Sequence, residues 1–214
     1  MIVPFRTPAD WAREAPSVAE HLRREGLICY PTETVYGLGC ALVPAALERL
    51  AGLKARDDRK PFLLLVSGRE PLPGLHWTAE AVRLAEAFWP GPLTLALRAE
   101  DGVYPRWVVG ERGTVAVRWS SHPGIGLLIE ALGSPLTSTS ANLPGEPPAT
   151  SADEARTVIR ALGDPAGLWL LDGGPLPASA PSTIVDCSGR RPRVLRAGAI
   201  GTELLRTVVG DLDA

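Results

Sequence analysis

Five short segments of this sequence carry side chains able to hold a charged or polar small molecule. Lys54-Ala55-Arg56-Asp57-Asp58-Arg59-Lys60-Pro61 sets four cations within seven positions, where a helix-like stretch ends and a strand-like one begins. An Arg and a Lys converging at a strand end bind phosphate oxygens by charge-assisted hydrogen bonds. Equally, basic side chains at a helix C-terminus offset its dipole, and the interleaved Asp57 and Asp58 would make a solvated loop. Pro31-Thr32-Glu33-Thr34-Val35-Tyr36-Gly37-Leu38-Gly39-Cys40 combines hydroxyls with glycines that let backbone and ligand approach closely; on spacing alone it reads more simply as a strand-to-loop turn. Thr137-Ser138-Thr139-Ser140-Ala141-Asn142 offers neutral donors and acceptors at a strand end, and Pro181-Ser182-Thr183-Ile184-Val185-Asp186 and Val194-Leu195-Arg196-Ala197-Gly198 follow. Each alone is a weak signal, because Ser/Thr clusters usually satisfy local turns.

Other chemistries lack their residues. There is no G-x-x-x-x-G-K-[ST] loop, Gly37 and Gly39 are not completed into GxGxxG, and no GxSxG elbow occurs. His21, His76 and His122 are isolated from one another and from carboxylates at metal-ligand spacing. His122, just before Pro123, reads as a surface histidine at a helix start rather than a base. Six tryptophans spread singly read as core rather than as a base-stacking face.

The elements that must position these segments alternate. Helices are expected over Ala9 to Glu25, with Pro16 breaking or restarting it, and over Pro44–Leu53, Thr78 to about Trp89, Pro123–Leu132, Ser151 to Leu162 from a Ser151/Glu154 capping box, and Thr202–Val209. Strands are expected at Leu27 to Tyr30, Phe62 to Val66, Leu93 to Leu97, Thr114–Arg118, Pro135 to Thr139, Leu168–Asp172, Thr183–Asp186 and Arg193–Arg196. Alternation indicates an α/β fold, and the back-to-back strands near the C-terminus a mixed sheet. At 214 residues, with 45% hydrophobic and 21% charged, one packed domain over 1–214 is expected. The 21 prolines and 22 glycines fall between periodic segments, as loop punctuation.

A formal net charge of −2 gives no broad attraction to nucleic acid, so any anion site must be local. Cys29, Cys40 and Cys187 signal neither disulfides nor zinc. Pro4, Arg6, Pro8 and Asp10 interrupt the N-terminus where a signal peptide would be apolar, and no apolar run approaches ~20 residues. A soluble cytoplasmic protein is expected.

In this order the segments, with Trp89-Pro90-Gly91-Pro92-Leu93-Thr94, resemble the YrdC-like family of threonylcarbamoyl-AMP synthases from about Gly26 to Gly198. The resemblance implies helices flanking a twisted sheet around a large concave basic cavity. It implies that threonine captures bicarbonate or CO2 as an N-carboxy adduct, whose carboxylate attacks the α-phosphate of ATP and expels pyrophosphate. The product would pass to partner proteins that modify tRNA.

Carried over position by position, Lys54 and Arg56 match catalytic residues, and Arg56, Lys60, Thr114, Ser140, Asn142 and Arg196 match ATP contacts. Thr34, Arg118, Ser138 and Ser182 match threonine contacts, with Arg118 on the carboxylate, while Thr32 and Tyr36 shape the pocket. Magnesium is implied with ATP, and no protein metal ligand is identified.

The chain departs from the pattern in three places. Leu65 stands where some members have His, Glu33 replaces the common Asp, and Pro144 interrupts the usual Ser-Gly. Longer members append a C-terminal domain, which a chain ending at Ala214 is not expected to hold. The alternatives are a paralogue of the same fold that binds nucleotide or double-stranded RNA without synthesis, a double-stranded RNA module with weak RNA binding, and carbamoyl transfer for metal-centre maturation. The last usually comes with zinc-binding and acylphosphatase-like segments, which are not found here.

Overall fold

The computed structural model describes residues 1–55, 60–68 and 72–213. Arg56, and with it the middle of the basic segment, lies outside the described residues. The elements run β1 (Ile2–Pro4), α1 (Pro8–Arg23), β2 (Leu27–Pro31), β3 (Tyr36–Gly39), α2 (Pro44–Leu53), β4 (Leu63–Leu65), β5 (Leu75–His76), α3 (Ala79–Phe88) and β6 (Leu93–Ala99). After a 3-10 turn at Arg106–Val108 come β7 (Thr114–Arg118), α4 (Pro123–Leu132), β8 (Leu136–Ser140), α5 (Ala152–Ala161), β9 (Leu168–Asp172), β10 (Thr183–Asp186), β11 (Arg193–Arg196) and α6 (Thr202–Val209).

The strands form one mixed sheet in the order β1-β9-β2-β3-β8-β4-β7-β6-β10-β11, with β5 paired to β6. β8 joins the two halves. Its end pairs with β3 (Gly37 opposite Ser140) and its start with β4 (Leu65 opposite Leu136), both antiparallel.

Alternation along the strands sorts side chains to two faces. Leu93, Leu95 and Leu97 of β6, Val115 and Val117 of β7 and Val185 of β10 enter one core with Leu47 and Leu50 of α2, Leu84 of α3, Ile159 of α5 and Leu205 of α6. On the other face, Ile28, Tyr30, Leu65, Leu136 and Leu171 pack under α1 and α4 with Val18, Leu22, Ile125 and Leu128. That second helical layer does not extend over β6, β7 and β10. Their outward residues there are Thr94, Ala96, Thr114, Ala116, Arg118 and Ile184, which line a cavity instead.

Two local readings are corrected. α1 continues through Pro16, starting from a capping box in which Thr7 accepts from Asp10 N and Asp10 accepts from Thr7 N at 3.1 Å. An interior proline costs ~3 kcal/mol, but full burial of Val18 and Leu22 in the same helix returns roughly 1.5–3 kcal/mol each. At α5, Ser151 accepts from Glu154 N as expected, but the Glu154 carboxylate takes Thr150 N at 2.6 Å rather than closing the box.

β3 is not anticipated, because PTETVYGLGC reads as a loop. It pairs with β2 as the second strand of a hairpin, and a Cβ on Gly39 would lie 2.0 Å from the Thr137 carbonyl oxygen, so only glycine fits there. β1 and β5 are also beyond the sequence reading. Among the described residues no helix is long and apolar enough to cross a membrane.

Candidate active site

The uncovered sheet face and the β2–β3 turn enclose a cavity of about 450 Å³. Thr32 and Thr34 come from the turn, Thr94 from β6, Thr114 and Arg118 from β7, Ser138 and Ser140 from β8. Ser182 leads into β10, Arg196 ends β11, and Lys60 approaches from the segment before β4. Period-two spacing explains the selection: Thr114 and Arg118, or Ser138 and Ser140, point the same way because their positions differ by an even number. Lys60, Arg118 and Arg196 are its cations, and no acidic side chain lines it among the described residues.

Arg118 is the buried centre of one wall, 4% exposed. Its Nε donates to the Gly91 carbonyl at 3.2 Å, its Nη2 to Glu33 Oε1 at 2.6 Å, and Nη1 and Nη2 to the Thr34 hydroxyl at 3.4 and 3.3 Å. Thr32 Oγ1 gives its proton to the Val35 carbonyl at 2.7 Å and accepts the amides of Thr34 and Val35. The Thr32 and Thr34 hydroxyl oxygens lie 3.1 Å apart. The turn is thus internally bonded through Thr32.

Opposite, Arg196 holds the strand entry of Ser182. Nε and Nη2 donate to the Ser182 carbonyl at 3.1 and 2.8 Å, and Nη2 also to Ser182 Oγ at 3.0 Å. Ser182 Oγ shares a hydrogen bond with Thr94 Oγ1 at 2.9 Å. Burial, and then the charge of Arg118, push Arg196 below its ordinary pKa, so the two guanidinium groups feel each other across the cavity.

Three carried-over positions are not on the cavity wall. Lys54 Nζ donates to the carbonyls of Ser140 and Asn142 at 3.1 and 2.6 Å and to Asn142 Oδ1 at 3.1 Å, which ties α2 to the end of β8. Asn142 Nδ2 donates to the carbonyls of Leu143 and Glu146, closing its own loop. Tyr36 points its hydroxyl to the Gly174 carbonyl at 2.7 Å. Leu65 is buried beside Ile125 and Leu128 of α4, away from the cavity wall.

The sequence reading gave no role to Glu33, Ser120 or Thr94. Burial pushes Glu33 up, but the Arg118 charge and the bonds from Ser120 and Arg118 outweigh it and hold the carboxyl below its usual range. A charged residue between hydroxyls, just after a strand with every residue buried, was the available hint of a buried ion pair.

A wider hollow of about 620 Å³ lies by Arg112, Asp186 and Arg191. Three of its four arginines face acids: Arg112 and Arg193 approach Asp186 at 3.9 and 3.5 Å, and Arg191 approaches Asp211 at 3.6 Å. Among the described residues no group of three or more His, Cys, Asp or Glu could hold a metal ion.

The Sua5_yciO_yrdC family model, described as telomere recombination, matches residues 20–198. The chain belongs to the Sua5/YciO/YrdC family. Within this family it is 43% identical over 180 residues to a threonylcarbamoyl-AMP synthase of Chromohalobacter salexigens, covering 81% of this chain and 92% of the relative. It is 41% identical over 168 residues to that of Alkalilimnicola ehrlichii, covering 78% and 87%.

The crystal structure of P. abyssi Sua5 complexed with L-threonine superposes with a TM-score of 0.90 at 33% identity, covering 100% of this chain. This chain spans 62% of that Sua5 chain. The Sua5/YciO/YrdC fold therefore accounts for every described element.

Proposed function

We propose that this protein is an L-threonylcarbamoyladenylate synthase, making threonylcarbamoyl-AMP and pyrophosphate from L-threonine, bicarbonate or CO2, and ATP. The observation that carries the reading is the convergence of Arg118 and Arg196 on one hydroxyl-lined cavity, in a fold that a family member named for its threonine complex matches over all of this chain and 62% of its own. Relatives named as synthases support it over the paralogue reading.

The threonine amine adds to CO2 and loses a proton to give an N-carboxylate. One of its oxygens forms a bond to the α-phosphorus, the bond from that phosphorus to the bridging oxygen breaks, and pyrophosphate leaves. Such a reaction needs alignment and protection from water more than a strong base, in keeping with walls built from hydroxyls and guanidinium groups.

In this reading Arg118 takes the amino-acid carboxylate, with Thr34, Ser138 and Ser182 around the threonine and Thr32 holding the turn. Arg56, Lys60, Thr114, Ser140 and Arg196 serve the nucleotide, and Lys54 and Asn142 support that wall from behind. Magnesium would arrive on the ATP phosphates, since the described cavity wall offers it no carboxylate. Hand-over to tRNA threonylcarbamoyl-transfer proteins, weak RNA contact and a cytoplasmic location belong to the same proposal.

The test is product identity. Incubated with ATP, threonine and 13C-bicarbonate, the purified protein should form threonylcarbamoyl-AMP one mass unit heavier than with unlabelled bicarbonate. Formation of AMP or ADP without that species would contradict the proposal.

A further inference from the structure

Glu33 is the one acid in contact with the guanidinium groups of the cavity among the described residues, yet it does not line the cavity. It stands behind Arg118. Its Oε1 accepts from Arg118 Nη2 at 2.6 Å, and its Oε2 accepts from the Ser120 hydroxyl. Ser120 Oγ in turn accepts the backbone N–H of His122, the N-cap of α4, at 3.2 Å. The chain of donors has one direction, from the α4 N-terminus through Ser120 to Glu33, and the positive end of the helix supports a carboxylate there. With Nη2 held by Glu33 and Nε by the Gly91 carbonyl, the guanidinium plane is fixed on two edges.

The two cavity guanidinium groups therefore differ in charge balance. Arg118 is compensated by a carboxylate on its far side, whereas among the described residues Arg196 is bonded to neutral Ser182 atoms and to no carboxylate. A compensated arginine suits a zwitterion, whose single carboxylate brings no excess charge. An uncompensated one suits a phosphate.

We infer that Glu33 is a positioning residue that orients Arg118 and neutralises it, reserving that corner for the amino acid and keeping the phosphates of nucleotide or pyrophosphate at the Arg196 end. This deepens the synthase reading and rests on it. A purely structural ion pair would affect folding and both substrates together. A charge divider affects threonine and shifts where pyrophosphate binds.

The experiment measures threonine-dependent pyrophosphate release by wild type, Glu33→Gln, Glu33→Asp and Ser120→Ala, with melting curves for each. Glu33→Gln should raise KM for threonine roughly tenfold or more, which corresponds to ~1.4 kcal/mol, while KM for ATP stays within about twofold. Added pyrophosphate should become competitive with threonine in Glu33→Gln and not in wild type. Glu33→Asp, which keeps the carboxylate, should recover most of the threonine affinity. Ser120→Ala, which leaves the ion pair but frees its outer oxygen, should give a smaller shift in the same direction, and it serves if Glu33→Gln does not fold.

Equal losses for ATP and threonine, or an unchanged KM for threonine, would overturn the inference while leaving the synthase intact. Wild-type protein without threonine-dependent release would instead sink the reading beneath it.

Discussion

Lys54 and Asn142 are tied twice: the ammonium group donates to the Asn142 carbonyl at 2.6 Å and to its side-chain oxygen at 3.1 Å, with the Ser140 carbonyl at 3.1 Å. A lysine ammonium carries three donors, enough to serve all three acceptors at once. Lys54 thus acts on the cavity wall by fixing the end of β8, which carries Ser140. Lys54→Met should lose about 1.5–3 kcal/mol of stability, the range for hydrogen bonds to a charged group, together with most of its turnover. The double variant Lys54→Met/Asn142→Ala should be less destabilised than the sum of the singles, because they share one network. A Lys54→Met protein with unchanged melting and no activity would show instead that the ammonium group works directly on substrate.

Gly198 lies where β11 passes the entry to β10. A Cβ there would sit 2.2 Å from the Pro181 carbonyl oxygen and 2.7 Å from the Ser182 carbonyl carbon. Gly198→Ala must therefore push the Ser182 segment away from Arg196. Circular dichroism should report an intact sheet, since β11 is an edge strand, while turnover falls at least roughly tenfold, equivalent to ~1.4 kcal/mol in the transition state. Wild-type turnover in this variant would mean that the placement of Ser182 is unimportant.

Arg196 reaches Ser182 with two different nitrogens, a geometry a lysine cannot reproduce. Arg196→Lys should accordingly resemble Arg196→Ala in kcat/KM despite keeping the charge. Recovery to within about threefold by lysine, under ~1 kcal/mol, would show that charge alone suffices.

The Glu33–Arg118 pair makes stability pH-dependent in a defined sense. The folded protein holds the Glu33 carboxyl below its usual value of 4.5, so this stabilisation is fully present above that pH and is lost as pH falls through the lower, folded pKa. Removing one partner of a buried pair costs ~3–5 kcal/mol. With Glu33 20% exposed the Glu33→Gln variant should lose somewhat less at neutral pH. Its melting temperature should approach that of wild type on acidification, because a protonated Glu33 resembles glutamine. Parallel melting curves from pH 7 to 3 would contradict the coupling.

Most elements were legible because their signals are local. Thr114–Arg118, Pro123–Leu132 and Thr183–Asp186 are found where apolar spacing, Pro123 at a helix start and Gly133 in left-handed conformation at its end place them. β3 was not legible, because Gly37 and Gly39 read as loop residues, whereas pairing on both sides makes the strand, with β2 (Ile28 opposite Gly39) and with β8 about 100 residues on (Gly37 opposite Ser140). Pro16 misled because its local cost is visible in sequence whereas the burial of Val18 and Leu22 beneath α4 is not.

The site divides in the same way. Thr34, Ser182 and Arg196 stand in recognisable segments, and so do Glu33 and Thr94, but what Glu33, Ser120 and Thr94 do is set by partners far away in the chain, Arg118, Glu33 and Ser182.

In the proposed reaction one cavity brings a triphosphate and an amino acid together for adenylation. Pyrophosphate release from ATP in bicarbonate buffer, followed as threonine is added, tests it most directly. Release should be near background without threonine and should rise to saturation with L-threonine. Release that ignores threonine, or that never exceeds background, would contradict the account.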